Sequence, residues 1–142
     1  MDDNAISLIQ SSFAEVVPIK DAAAEIFYAD LFETAPEVRP YFAGSDMKKQ
    51  GAMLMATLGV VVNGLRDLDK IVPVAQDLAV RHVDYGVQPQ DYDAVGASLL
   101  RTLEKGLGEA FTAEVKQAWT VAYSVLASVM KDAAYPAPEG QA

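Results

Sequence analysis

One histidine, His82, is the only imidazole in this chain of 142 residues, and cysteine is absent. It ends the run Asp77-Leu78-Ala79-Val80-Arg81-His82. Leu78, Ala75 and Ile71 precede it by four, seven and eleven residues. Those offsets put all four side chains on one face of a helix. A lone imidazole at the C-terminal end of an apolar helical stripe can supply one axial ligand to a haem iron and leave the opposite face of the metal to a gas. It can also be a core histidine bonded to a backbone carbonyl, and from His82 alone that second role is the commoner one.

The rest of the composition removes several chemistries. Without cysteine there are no disulfides, no thiolate-ligated or covalent c-type haem, and no thioether-linked bilin. One histidine and no cysteine is a poor basis for structural zinc, and it rules out haem held between two histidines. Hydrophobic residues make up 51% of the chain, enough for one domain with a core and an apolar ligand cavity. The net charge of −9 argues against nucleic acid or an anionic membrane as partner. The start, Met1-Asp2-Asp3-Asn4, has no signal-peptide pattern. The longest apolar stretch, Ala52 to Val62, is too short to span a bilayer. The expectation is a cytoplasmic protein, either a monomer or a weak homodimer.

The elements that must position His82 read as helices throughout. Strand alternation and Asn-Gly hairpin signals are absent, and a 3.6-residue period recurs in every long segment. Ile6, Ile9, Phe13 and Val16/Val17 form a first stripe that Pro18 ends. A second helix is predicted over Lys20–Thr34, with Ala24, Phe27/Tyr28 and Leu31/Phe32 on its stripe. Pro36 and Pro40 bracket a short helical turn, and Asp46 follows Gly44-Ser45 as a capping signal. The next stripe is Gln50, Leu54, Leu58, Val61 and Leu65. Asp67 is placed to cap the helix that ends at His82, and Gly86 and Pro89 mark the following boundary, with Pro89 suited to a helix start. Tyr92, Val95/Gly96, Leu99, Leu103 and Leu107 make a fifth stripe closed by Gly108. Thr112 is placed to cap a last helix with Val115, Trp119, Ala122/Tyr123, Leu126 and Val129/Met130. The expectation is an all-α domain over residues 1–134, of about six long helices and one short one in crossed packing. The tail, 135–142, reads as disordered.

Three collinear stretches carry a resemblance over nearly the whole chain, from Ala5 to Lys131. The first is Phe27-Tyr28-Ala29-Asp30-Leu31-Phe32 with Pro36-Glu37-Val38-Arg39-Pro40-Tyr41-Phe42. The second runs from Leu78 through His82 to Tyr85-Gly86-Val87. The third runs from Tyr92-Asp93-Ala94-Val95-Gly96 through Leu103–Gly108 and Phe111-Thr112 to Ala118–Tyr123. Together they resemble bacterial single-domain globins related to the haem domain of flavohaemoglobins. The resemblance implies a globin fold packed around a haem b pocket, with His82 as proximal iron ligand. It places Phe42 against the haem face, Gln50 and Leu54 on the distal side, and Tyr28 across the pocket from Gln50. Val87, Val95, Leu99 and Leu126 are implied pocket linings. Arg81, next to the ligand, is either a partner for a haem propionate or a solvated surface residue. Tyr92 matches a tyrosine that orients the proximal histidine in such globins. The glutamate that accompanies it there falls at Ala134 in this chain, with Asp132 the nearest acid, which weakens a peroxidase-like proximal site.

A phenol O–H at Tyr28 and an amide N–H at Gln50 are both donors suited to a gas ligand that carries partial negative charge. The first functional expectation is therefore reversible binding of oxygen, with nitric oxide and carbon monoxide as further ligands. The second is nitric oxide dioxygenase activity, which would need a separate flavin reductase, since residues 1–142 contain no G-x-G-x-x-G. The third is a haem-free sensor or interaction domain.

Overall fold

The computed structural model describes residues 2–84 and 90–134. Six long helices follow one another: α1 (Asp3–Val16), α2 (Lys20–Thr34), α3 (Met47–Asn63), α4 (Leu68–Asp84), α5 (Asp91–Leu107) and α6 (Ala113–Ala134). Three 3₁₀ segments, Val17–Ile19, Pro36–Phe42 and Gly108–Ala110, fill the joints, and no strand occurs among the described residues. The all-α expectation holds. Gly86, Val87, Pro89 and the 135–142 tail lie outside the described residues.

Local chemistry sets most helix ends. Asp46 accepts from the amides of Lys48 and Lys49 and starts α3. Thr112 Oγ1 accepts from Val115 N at 3.2 Å at the start of α6. Asp2, not anticipated as a cap, accepts from Ala5 N at 2.8 Å and starts α1. Gly108 follows α5 directly. Two boundaries differ from the sequence reading. α4 continues for two residues past His82, to Asp84. Leu65, expected on the α3 stripe, lies beyond the helix end yet is buried.

Four helix pairs carry most of the packing: α4 on α6, α2 on α5, α1 on α6 and α2 on α3. By contrast, α3 and α4 make no extensive backbone approach to each other. The buried apolar residues accordingly fall into two groups. The larger gathers Ile9, Phe13, Phe27, Leu31, Leu103 and Trp119 among others. The smaller gathers Ala75 and Ala79 of α4, Tyr92 of α5, and Ala127 and Met130 of α6. Tyr123 and Leu126 touch both. Polar groups inside the larger core have partners. Trp119 Nε1 donates to Ser12 Oγ at 2.8 Å, and Ser12 donates on to the Leu8 carbonyl at 2.7 Å.

One ion pair fastens α2 to α5. The Asp30 carboxylate, with its side chain 9% exposed, receives Arg101 Nε at 2.8 Å and Nη2 at 2.7 Å, and Ser98 Oγ at 2.7 Å. The Arg101 guanidinium holds the Asp30 carboxyl below the ordinary carboxylate range. A lowered folded-state pKa means stability that is present at neutral pH and fades as pH falls through the folded value. Arg101→Gln leaves a mostly buried carboxylate without its cation. It is expected to lower unfolding free energy by about 2 kcal/mol, read as a shifted urea midpoint, and to flatten the acid limb of the stability curve.

Candidate functional site

His82 sits near the C-terminal end of α4. Its Nδ1 lies 2.7 Å from the carbonyl oxygen of Leu78, one turn earlier. A carbonyl oxygen can only accept, so Nδ1 carries the proton, and in the neutral imidazole the lone pair sits on Nε2. The ring is half-buried and stacks on Tyr92, with centroids 6.3 Å apart and planes 24° from parallel.

Tyr123 holds this corner in place. Its hydroxyl donates to the Tyr92 carbonyl at 2.6 Å. Its ring occupies the space a side chain at Gly96 would need, since a Cβ there would come within 2.6 Å of Tyr123 Cε2. Glycine at 96 is what lets α5 and α6 close on each other here. Burial, with Tyr92 and Asp93 adding to it, raises the Tyr123 phenol above its ordinary value, so it stays a donor. The Lys131 ammonium of α6 lies 5.8 Å from the Tyr92 ring centroid and 3.7 Å from the Asp93 carboxylate. The charge over the Tyr92 ring is thus a cation, while Asp132 is exposed and Ala134 supplies no acid.

Across the fold, Tyr28 belongs to a cluster of aromatic rings. It meets Phe27 edge-on at 5.0 Å and Phe42 edge-on at 5.4 Å, and lies 5.9 Å from Phe32. Phe32 and Phe42 are themselves 5.4 Å apart. Burial pushes the Tyr28 phenol up to about 12, so it too remains a donor at neutral pH. α2 and α3 approach closely at Gly51, where a Cβ would stand 2.9 Å from Ala24 Cβ. That crossing brings the Tyr28 helix against the helix carrying Gln50 and Leu54, both half-buried. Among the described residues no hydrogen bond joins Tyr28 to Gln50.

The other sequence-predicted residues divide. Val95 and Leu126 are half-buried and pack against the larger apolar group, Leu126 against the smaller one as well. Leu99 is fully in the core, where it shares the lining of a small apolar void with Leu54, Phe27 and Leu58. Arg81 is exposed and forms a 3.0 Å pair with Asp77 one turn back along α4. Val87 lies outside the described residues. Tyr28, Phe42, Gln50, Leu54, His82, Val95 and Leu126 thus share intermediate exposure, which suits side chains that a flat apolar ligand would cover.

The donor set also speaks to the kind of metal chemistry possible. Among the described residues no group of three or more His, Cys, Asp or Glu side chains gathers in metal-holding geometry. A haem carries four of its iron ligands with it and asks the protein for one axial nitrogen, which His82 can offer. The residues present fit that group.

Two polar pairs near these clusters were not legible from spacing. One is Asp30–Arg101, two residues along α2 from Tyr28. The other is Tyr41–Asp91, whose members flank Phe42 and Tyr92 and lie 3.0 Å apart.

Comparison with known proteins gives a consistent result. The family model described as Globin matches residues 25–130. The chain is similar to proteins named flavohemoprotein: that of Vibrio cholerae is 30% identical over 129 residues, covering 89% of this chain and 33% of the relative. That of Oceanobacillus iheyensis is 28% identical over 131 residues, covering 91% and 32%. That of Bacillus subtilis is 29% identical over 130 residues, covering 89% and 32%. The chain spans about a third of the length of these relatives. No helix among the described residues is long and apolar enough to cross a membrane.

Proposed function

The chain belongs to the globin family, and we propose that it binds one haem b through His82 and receives oxygen on the side of Tyr28, Gln50 and Leu54. The observation that supports this reading is the 2.7 Å contact from His82 Nδ1 to Leu78 O, which puts the proton on Nδ1 and so the lone pair of the neutral ring on Nε2, the atom a metal would take. When bound, haem supplies an iron with one open position for a diatomic gas. The chain's own residues do the rest. Leu78 O and the Tyr92 ring fix the orientation of the imidazole. Phe42, Val95 and Leu126 offer apolar surface to a macrocycle, and Leu99 backs them from the core. Tyr28 keeps its proton and is the principal hydrogen-bond donor to a gas, with Gln50 the second. Arg81, exposed next to His82 and paired with Asp77, is the cation within reach of α4's end that we propose for a haem propionate.

The direct test is a set of absorption spectra of the purified, haem-loaded protein in ferric, ferrous and carbonyl forms. A 1:1 stoichiometry, complete extraction into acid acetone and a haem b pyridine complex are expected. A protein that takes up no haem overturns the reading and favours a haem-free interaction domain. Oxygen carriage and nitric oxide dioxygenase activity separate by a further measurement. Nitric oxide consumption by residues 1–142 is expected to stop after one equivalent and to continue when a flavin reductase and a nicotinamide donor are added. Slow consumption even with reductase supports the carrier role, and fast sustained consumption supports the enzyme.

A further inference from the structure

The aromatic cluster around Tyr28 and the pair His82–Tyr92 lie on different helices, yet one hydrogen bond links their neighbours. Tyr41 belongs to the Pro36–Phe42 segment and precedes Phe42, whose ring meets both Tyr28 and Phe32. Asp91 opens α5 and precedes Tyr92, whose ring stacks on His82. Tyr41 Oη donates to Asp91 Oδ2 at 3.0 Å, across 50 residues of sequence. Asp91 is a carboxylate only 5% exposed at the very start of a helix. A carboxylate at a helix N-terminus gains from the helix dipole, but burial at this level also calls for donors. Tyr41, half-buried, is one of them.

We propose that Tyr41 and Asp91 form a clasp that holds the Phe42 wall against the Tyr92 wall and thereby sets how fast haem leaves the protein. The inference rests on the haem reading above. With haem bound between these walls, their separation would ease its exit. Separation must break the Tyr41–Asp91 bond, so the bond belongs to the closed state alone. Removing it shifts the balance toward opening without touching a haem ligand or a distal donor. Tyr41 and Asp91 are therefore positioning residues.

The experiment is haem transfer from the ferric holoprotein to excess apomyoglobin. Tyr41→Phe keeps the ring and deletes the donor, and is expected to speed haem loss about tenfold, the effect of a charge-assisted hydrogen bond. Asp91→Asn keeps an acceptor oxygen and is expected to speed it by a smaller factor, about threefold. Gln10→Leu serves as the control, because it deletes a comparable tie, Gln10 Nε2 to Val62 O at 3.0 Å, between α1 and α3. It is expected to leave haem loss within about twofold of the parent. Urea midpoints of the haem-free proteins separate a clasp from a general loss of stability. The clasp requires faster haem loss in Tyr41→Phe than in any variant of equal apoprotein stability. Unchanged haem loss in Tyr41→Phe, or equal acceleration in Gln10→Leu, overturns it. A parent protein that binds no haem at all overturns the haem reading itself, which is a separate and recognisable result.

Discussion

His82→Ala is expected to abolish stable haem binding while leaving the helical fold in place. Loss of an outer partner of a metal ligand typically costs about 10- to 100-fold in metal affinity, and loss of the only protein ligand should exceed that range. The fold should survive because His82 is half-buried and its backbone lies in the last turn of α4, whose packing on α6 runs through Ala75 and Ala79. Far-ultraviolet circular dichroism should match the parent, and haem titration should show no saturable high-affinity step. His82→Gly offers a sharper version. The missing ring leaves a space beside Tyr92, and free imidazole added to this variant should restore a ferrous spectrum like that of the parent. Retention of haem by His82→Ala with an unaltered ferrous spectrum would show that the ligand lies elsewhere.

Much of this arrangement could be read in the sequence, for identifiable reasons. The predicted span of α2, Lys20–Thr34, matches the observed one. Asp46 and Thr112 cap the helices they were expected to cap. These are local events, governed by residues within one turn of each other, and periodicity reports them directly. The stripes through Ile9, Phe27, Leu31 and Trp119 likewise became core. What periodicity does not report is a polar contact between elements. Ser12 falls between the stripe positions Ile9 and Phe13, and it receives the Trp119 indole from 107 residues away. Asp30 lies within a stretch quoted for its aromatic residues, and its partner Arg101 shares no spacing rule with it. Asp91 stands at no stripe position, and the structure shows it buried and bonded to Tyr41. The departure at Ala134 was visible in the sequence. The Lys131 cation that stands over Tyr92 was not, because it depends on which way the last turns of α6 face.

Tyr28→Phe is expected to raise the rate of oxygen release about tenfold, since a hydrogen bond to a ligand carrying partial charge contributes about 1.5 kcal/mol or more in a dry pocket. Gln50→Leu should have a smaller effect, because the Gln50 side chain is half-exposed at the first turns of α3, whereas Tyr28 is wedged among Phe27, Phe32 and Phe42. Carbon monoxide, a weaker acceptor, should respond less to both substitutions. The phenol pKa adds a pH test with a definite sign. The ordinary value is 10.0 and burial raises it to about 12 in the folded protein. Folding therefore favours the protonated phenol. Its contribution to stability is whole below pH 10, and it is lost as pH rises from there through about 12. Two results follow. Oxygen release from the parent should stay constant from about pH 7 to about pH 9, because Tyr28 does not titrate there. Between pH 10 and 12 the parent should lose more stability than Tyr28→Phe, which has no buried phenol to ionise. Equal oxygen release from parent, Tyr28→Phe and Gln50→Leu would remove both residues from the gas-binding side and leave only steric control by Leu54 and Phe42.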